Sequence, residues 1–219
     1  MNTTLKRSEQ IPEYIELCRA AGYVHRSDRT KNWDNFKAVT WILENHKDLD
    51  GPILDAGGIQ ESAFLPTLDR FGYRRLIALD LGNPQPPKLV HNITFRRGDI
   101  TDTKYPDNFF QAVGCLSVIE HGVDPKLFFT EMKRIIKPGG SLIVSTDYWA
   151  DKVQNVDGRQ AYGVPVHIFS RQEMDDVIRI AAEHGFELTS EKVDFDCEEK
   201  TVNWCGFQYT FIIVCFRKK

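Results

Sequence analysis

Acidic residues stand at the ends of three apolar stretches that are typical of successive strands, where carboxylates can bind a ligand's hydroxyl and amino groups. Asp55 lies near the end of the first stretch, Asp80 ends the second, and Asp99 follows the third. The position of Asp80 suits hydrogen bonds to both hydroxyls of a ribose, and its alternative role is to cap the following turn. Asp99 suits the amino group of an adenine with Ile100 packed on the ring; the alternative is an acidic turn with Ile100 in the core.

Paired glycines follow the first strand and mark a tight turn into a helix. Gly57 and Gly58 carry no Cβ, so the chain can turn sharply and approach a ligand closely. The amphipathic stretch 63–70 comes next, and a helix start presents unpaired N–H groups. The run lacks the glycine spacing of a dinucleotide site, and Glu61 would repel a pyrophosphate. The turn therefore favours a nucleoside with a positively charged, zwitterionic arm, and glycines that serve turn geometry alone are the alternative.

Strands and helices alternate from residue 53 onwards, which predicts an α/β fold with a mostly parallel sheet. Two alternating stretches at the end of the chain, 186–195 and 207–216, predict an antiparallel pair at one sheet edge. Two helices, over 12–21 and 34–46, precede the first strand. They predict an N-terminal helical cap that either covers the flank of the sheet or closes over a ligand.

The composition predicts one domain, residues 1–219, with the cap in 1–50 and the core in 51–219. The chain has 42% hydrophobic and 27% charged residues, as ordinary globular proteins do. Its formal net charge of −3 gives no electrostatic reason to expect a nucleic acid or a membrane as partner. We expect no membrane span and no secretion signal. Five cysteines without Cys-x-x-Cys spacing fit a reducing, cytoplasmic compartment.

The ordered set of motifs resembles the class I S-adenosylmethionine-dependent methyltransferases, particularly the small-molecule group called type 11. The matching motifs are ILDAGG at 53–58, IALD at 77–80, GDI at 98–100, FQAV at 110–113 with VIEH at 118–121, and RIIKPGG at 134–140. The resemblance implies a Rossmann-like, doubly wound, seven-stranded sheet with an antiparallel C-terminal strand. It also implies S-adenosyl-L-methionine as the cofactor and methyl transfer as the reaction.

The resemblance also assigns roles to residues at the carboxyl ends of the strands. The cofactor-binding residues that it implies are Asp55, Gly57, Gly58, Asp80, Leu81, Asp99, Ile100 and Ser117. Asp55 and Gly57 would border the methionine part, Asp80 the ribose, and Ser117 the floor beneath the sulfonium. The family's further glycines are replaced by Ile59 and Glu61, and Gly58 would move the close approach one residue earlier.

Three residues are candidates for a catalytic base near the methyl group: His121, Asp147 and His167. A hydroxyl acceptor gains from a base, whereas an amine needs only to arrive deprotonated. Each candidate also has a structural alternative, as a strand-end hydrogen bond, a turn cap or a packed ring. No metal-ligand set and no nucleophile elbow is present in the sequence.

The methyl acceptor is expected to be a small polar molecule, such as a sugar-linked or amine metabolite, methylated on oxygen or nitrogen. Its pocket is expected to use four aromatic residues of the cap and the connection 148–167. The cap residues are Tyr14, Tyr23, Trp33 and Trp41. The protein is expected to be a monomer or homodimer. Two alternatives remain open: a non-catalytic cofactor-binding or scaffold protein derived from a methyltransferase, and an NAD(P)-dependent oxidoreductase.

Overall fold

A computed structural model describes residues 1–84 and 86–219. The helices are α1 (Gln10–Ala20), α2 (Lys31–Asn45), α3 (Phe64–Arg70), α4 (Pro125–Ile135) and α5 (Arg171–Glu183). The strands of the first half are β1 (Thr3–Thr4), β2 (Ile53–Ala56), β3 (Leu76–Asp80), β4 (Lys88–Val90), β5 (Ile93–Arg97) and β6 (Phe110–Leu116). Those of the second half are β7 (Ile136–Tyr148), β8 (Gln160–Ala161), β9 (Val164–Pro165), β10 (Phe186–Leu188), β11 (Val202–Trp204) and β12 (Phe207–Lys218).

One large, mostly parallel sheet organises the fold, with the order β1-β12-β7-β6-β2-β3-β5-β4. The strands β5, β3, β2, β6 and β7 are parallel, and β12 runs antiparallel against β7. Together with β10 on the far side of β12, these strands form the expected seven-stranded core with its antiparallel C-terminal strand. The short strands β1, β4 and β11 extend this core to ten strands in the described part of the chain, an extension that the sequence analysis did not predict.

Helices cover both faces of the sheet, as a doubly wound fold requires. On one face, α4 and α5 bury Phe128, Met132, Met174 and Val177 against the central strands. Local sequence signals define these helices. Asp124 accepts hydrogen bonds from the N–H groups at the start of α4, and a capping box begins α5.

The two N-terminal helices lie on the other face of the sheet beside α3. Trp33 and Val39 of α2 share one apolar cluster with Phe64 of α3 and Ile143 of β7. The expected cap therefore covers the flank of the sheet. The first turn of α2 also reaches the carboxyl ends of the strands.

Two small hairpins stand above that same edge of the sheet. One is formed by β8 and β9, and the other by β11 and the start of β12. Because β12 is antiparallel to β7, its first residues lie beside the last residues of β7, with Thr210 opposite Tyr148. Throughout the described chain, every helix is too short or too polar to cross a lipid bilayer.

Candidate functional site

A cavity of about 990 Å³ lies at the carboxyl ends of β2, β3, β5, β6 and β7. Small-molecule sites measure roughly 300–1,000 Å³, so this cavity is large enough for an extended ligand together with a second, smaller one. The first turn of α2 and the two small hairpins form its outer wall. In an open α/β sheet this edge is where ligands bind.

All but one of the predicted cofactor-binding and catalytic residues line this cavity. They are Asp55, Gly57, Gly58, Asp80, Leu81, Asp99, Ile100, Ser117, His121 and Asp147. The exception is His167, which does not line the cavity and instead contacts Glu173 of α5 at 3.3 Å and the ring of Phe169. Sequence order had placed His167 near the carboxyl edge, but the chain turns away between β9 and α5.

The turn between β2 and α3 is built so that only glycine fits. Gly57 has φ +86°, and a Cβ there would lie 2.3 Å from the Val118 side chain. At Gly58 a Cβ would lie 2.5 Å from the Asp55 carboxyl group. The hydroxyl of Ser62 donates to that carboxylate at 2.7 Å, and burial raises the pKa of Asp55 to about 6.

The two residues at the expected extra glycine positions do not fill the cavity. Ile59 is 40% exposed and lines its mouth, while Glu61 is exposed and does not line it. Solvent therefore weakens the repulsion that Glu61 was expected to exert on a bound phosphate. Any close approach of the backbone to a ligand at this turn would depend on Gly57 and Gly58 alone.

Asp80 and Asp99 combine a turn role with a place in the cavity wall. Oδ1 of Asp80 accepts the N–H of Gly82 at 2.6 Å, and Oδ1 of Asp99 accepts the N–H and hydroxyl of Thr101 at 2.8 and 2.7 Å. In both residues these bonds use one oxygen and fix the carboxylate at the cavity. The alternatives considered for each residue are thus compatible.

A buried asparagine shapes the loop before α2. Asn32 accepts the N–H of Arg26 and donates to the carbonyls of Arg26, Asp28 and Arg29. These bonds hold a loop whose Arg26, Asp28, Thr30 and Lys31 line the cavity. In the sequence, the only sign of this loop is an asparagine that follows a basic stretch at the start of a helix. Its place beside the cavity follows from the packing of α2 on the sheet, which the local sequence does not reveal.

Lys31 enters the cavity from the first turn of α2. Its Nζ donates to the hydroxyl of Ser117 and lies 3.7 Å from the centroid of the Phe211 ring. Ser117 has φ +56°, a left-handed conformation that is uncommon outside glycine and is concentrated at functional sites. The end of β6 therefore presents a strained residue and a bound ammonium group to the cavity.

Three buried carboxyl groups that line the cavity interact electrostatically with this ammonium group. Asp34, Glu120 and Asp147 are 2%, 2% and 3% exposed. Burial raises the pKa of all three, and the charge of Lys31 opposes that rise. For Asp147, burial and the neighbouring Glu120 raise the pKa to about 8. The hydroxyl of Ser145 donates to Asp34 at 2.7 Å, and that of Thr146 to Glu120 at 2.9 Å.

Aromatic rings form the outer rim of this end of the cavity. The ring of Tyr162 lies 5.0 Å from that of His121 and stacks on that of Trp204 at 6.3 Å, measured between centroids. Tyr162 is 83% exposed. Burial lowers the pKa of His121, and the charge of Asp147 opposes this, so the imidazole is neutral at neutral pH and can accept a proton.

The four cap aromatic residues expected in the acceptor pocket do not line the cavity, whereas the connection 148–167, also expected there, contributes Tyr162. Tyr23 and Trp33 are buried in the core, and the Trp41 indole donates to Ser141 at 3.0 Å. The corresponding wall comes from Tyr162, Trp204, Tyr209 and Phe211. Three of these lie in the β11–β12 hairpin, and no local motif marks them, because only the antiparallel insertion of β12 brings them to this edge.

The fold and the cavity define a class of protein. A Rossmann-like sheet with an antiparallel C-terminal strand, a glycine turn after the first core strand and acidic residues along its carboxyl edge is the class I S-adenosylmethionine-dependent methyltransferase architecture. Residues 54–144 match the family described as the methyltransferase domain. This match covers less than half of the chain, and together with the fold it agrees with the methyltransferase class that the motifs predict.

Similarity to individual proteins is low or short. A sterol 24-C-methyltransferase of Aspergillus fumigatus is 38% identical over 52 residues, which is 24% of this chain and only 14% of that enzyme. The [4+2]-cyclase SpnF aligns with 100% of this chain and 99% of its own at 16% identity and a TM-score of 0.60. Geranyl diphosphate C-methyltransferase from Streptomyces coelicolor A3(2), solved with S-adenosyl-L-homocysteine, aligns with 98% of this chain and 86% of its own at 14% identity and a TM-score of 0.57. These structures support the fold.

Proposed function

We propose that this protein is an S-adenosylmethionine-dependent methyltransferase that acts on oxygen or nitrogen of a small polar acceptor. The observation that carries the proposal is the single cavity lined by Asp55, Asp80 and Asp99 at one end and by His121 and Asp147 at the other. One end has the side chains for a nucleoside, and the other has groups that can accept a proton. A space of about 990 Å³ suits both ligands at once.

The residues fit the cofactor on three structural grounds. A Cβ at Gly57 or Gly58 would collide with the side chain of Val118 or Asp55, so the turn that lines the cavity requires both glycines. The Oδ1 atom of Asn35 is buried at the cavity without a hydrogen-bond partner among the described residues, so it is free to accept from an ammonium group. Arg26 lines the same region and suits a carboxylate.

When bound, S-adenosylmethionine supplies an activated methyl group. The chain's residues bind and orient the two ligands: Asp80 accepts from the ribose hydroxyls, and Asp99 with Ile100 and Leu81 encloses the adenine. Ser117 forms the floor at the centre of the cavity. His121, or Asp147 when its carboxyl group is ionised, accepts the proton that a hydroxyl or ammonium acceptor must lose.

Titration with S-adenosylhomocysteine tests the proposal without knowledge of the acceptor. We expect saturable binding by calorimetry, and we expect Asp80→Ala to weaken it about tenfold or more, because hydrogen bonds to a charged group are lost. Asp176→Ala, on the exposed surface of α5, is the control and should bind as the parent does. Absence of binding to the parent protein would contradict the function, and equal binding by Asp80→Ala would contradict the ribose assignment.

The fold by itself does not establish turnover, since a [4+2]-cyclase shares it over the whole chain. A cofactor-binding protein without methyltransferase activity would bind S-adenosylhomocysteine equally well. Transfer of a labelled methyl group from S-adenosylmethionine to acceptors offered in mixtures separates the two. Loss of transfer in Asp147→Asn with unchanged S-adenosylhomocysteine binding would assign Asp147 to the acceptor end.

A further inference from the structure

We infer that the inner acceptor end of the cavity, formed by Asp34, Glu120 and Asp147, is an ammonium-binding site and that the methyl acceptor is an organic amine. The inference rests on the proposed methyltransferase function and names its substrate class. Three observations support it: the buried carboxyl groups that line the cavity, the ammonium group of Lys31 beside them, and the aromatic rim of the cavity.

The first observation is that two buried carboxyl groups have no cation paired with them. Glu120 and Asp147 are almost completely buried, and buried carboxylates in proteins are normally paired with a cation. In the described chain no ion pair reaches either of them, and their side-chain donors are the hydroxyls of Thr146 and Tyr209. Two hydroxyls leave further lone pairs of the two carboxylates open to a ligand.

The second observation is that the chain's own ammonium group already lies here. Lys31 Nζ is held by a hydroxyl and by the face of the Phe211 ring, and its charge favours the ionised forms of Asp34, Glu120 and Asp147. A hydroxyl, an aromatic face and nearby carboxylates are the surroundings that an alkylammonium group prefers. Lys31 is one ammonium group beside three buried carboxyl groups, and an ammonium ligand would favour their ionised forms in the same way.

The third observation concerns the rest of the acceptor. His121, Tyr162 and Trp204 form a continuous aromatic edge above the carboxylates. Tyr162 is largely exposed, and its backbone has a left-handed conformation. Its ring lies at the mouth of the cavity, where it can pack over a ligand. An amine with a flat or apolar body fits both parts, with its nitrogen directed inward and its body against the rings. An anionic acceptor would instead be repelled by the carboxylates.

Benzylamine and benzyl alcohol are matched probes, because they share a ring and differ in charge. We expect protein saturated with S-adenosylhomocysteine to bind benzylamine at least about tenfold more tightly than the alcohol, measured by calorimetry. Glu120→Gln and Asp147→Asn should each weaken benzylamine by about tenfold and leave the alcohol unchanged. Asp176→Asn on the surface of α5 is the charge-matched control and should bind both probes as the parent does.

Removal of the chain's own cation is the sharper test. Lys31→Met should bind benzylamine more tightly than the parent, by about threefold or more, because the carboxylates lose a competing ammonium group. Equal binding of amine and alcohol, no amine binding at all, or weaker amine binding by a folded Lys31→Met variant would overturn the inference. Each of these results with intact S-adenosylhomocysteine binding leaves the proposed function standing, whereas loss of S-adenosylhomocysteine binding by the parent contradicts the function itself.

Discussion

The carboxyl group of Asp147 affects the stability of the fold and, in the proposed function, the chemistry of the acceptor. It is buried beside Glu120 and faces Lys31, His121 and Tyr209. Burial and Glu120 together raise its pKa to about 8 from an ordinary 3.8. Ionising this carboxyl group inside the folded protein is therefore costly.

This position predicts a pH-dependent stability effect. The folded pKa of Asp147 exceeds the unfolded one, so between about pH 4 and pH 8 the folded state holds the extra proton and stability falls as pH rises. Asp147→Asn removes this loss. We therefore expect the variant to gain melting temperature over the parent between pH 5 and pH 8, by about 2–4 °C for each kcal/mol recovered.

Scanning calorimetry at pH 5 and pH 8 measures this effect. Asp176→Asn, whose side chain is exposed on α5, should show the same small difference from the parent at both pH values. An Asp147→Asn variant that differs from the parent equally at pH 5 and pH 8 would show that Asp147 is ionised across this range in the folded protein.

At the scale of elements, the acceptor wall depends on two hairpins that are distant in sequence. Arg159, next to β8, donates to the carbonyl of Cys205 at 2.9 Å and packs over the ring of Phe207. The adjoining Gly206 has φ +77°, and a Cβ there would collide with the Arg159 guanidinium. Arg159 thereby connects the hairpin that carries Tyr162 to the hairpin that carries Trp204.

Arg159→Ala should separate the two hairpins without disturbing the sheet. Because the side chain is largely exposed, its contribution is modest. We expect benzylamine affinity to fall by about two- to fivefold, while S-adenosylhomocysteine affinity stays at the parent value. Calorimetry with each ligand measures this, and Arg179→Ala on α5 is the matched control. An equal loss for both ligands would mean that the hairpins support the whole cavity.

At the scale of the molecule, the charge of the residues that line the cavity distinguishes between classes of ligand. The mouth and walls are predominantly acidic, with Arg26 and Lys31 as the basic residues among those that line the described cavity. Such a surface favours ligands with a cationic centre over the paired phosphates of a dinucleotide. The oxidoreductase alternative therefore has little electrostatic support.

Thermal stability with each cofactor tests this preference in the intact chain. A ligand that binds only the folded state stabilises it by about 2.7 kcal/mol at a hundredfold excess over its Kd. For a chain of this size that corresponds to a shift of roughly 5–11 °C. We expect S-adenosylhomocysteine to produce such a shift and NAD to produce none. A larger shift with NAD would reverse the assignment of the cavity.

The sequence by itself determined the α/β class, the strands β2, β3, β5 and β6 and the residues that end them. It could do so because apolar runs, a glycine pair and an acidic residue at a strand end are local features, and parallel strands bring their carboxyl ends to one edge. Asp55, Asp80 and Asp99 were therefore predictable as neighbours of one ligand. The methyltransferase class followed from the order of these motifs.

Only the tertiary structure decided the acceptor end. Lys31 arrives from a helix packed on the flank of the sheet, and Tyr209 arrives from a strand inserted antiparallel beside β7. His167 was excluded from the cavity by a turn that its local sequence does not reveal. The physical reason is that burial and charge balance arise from segments far apart in the chain, so three carboxylates became neighbours only when the sheet and its hairpins closed around them.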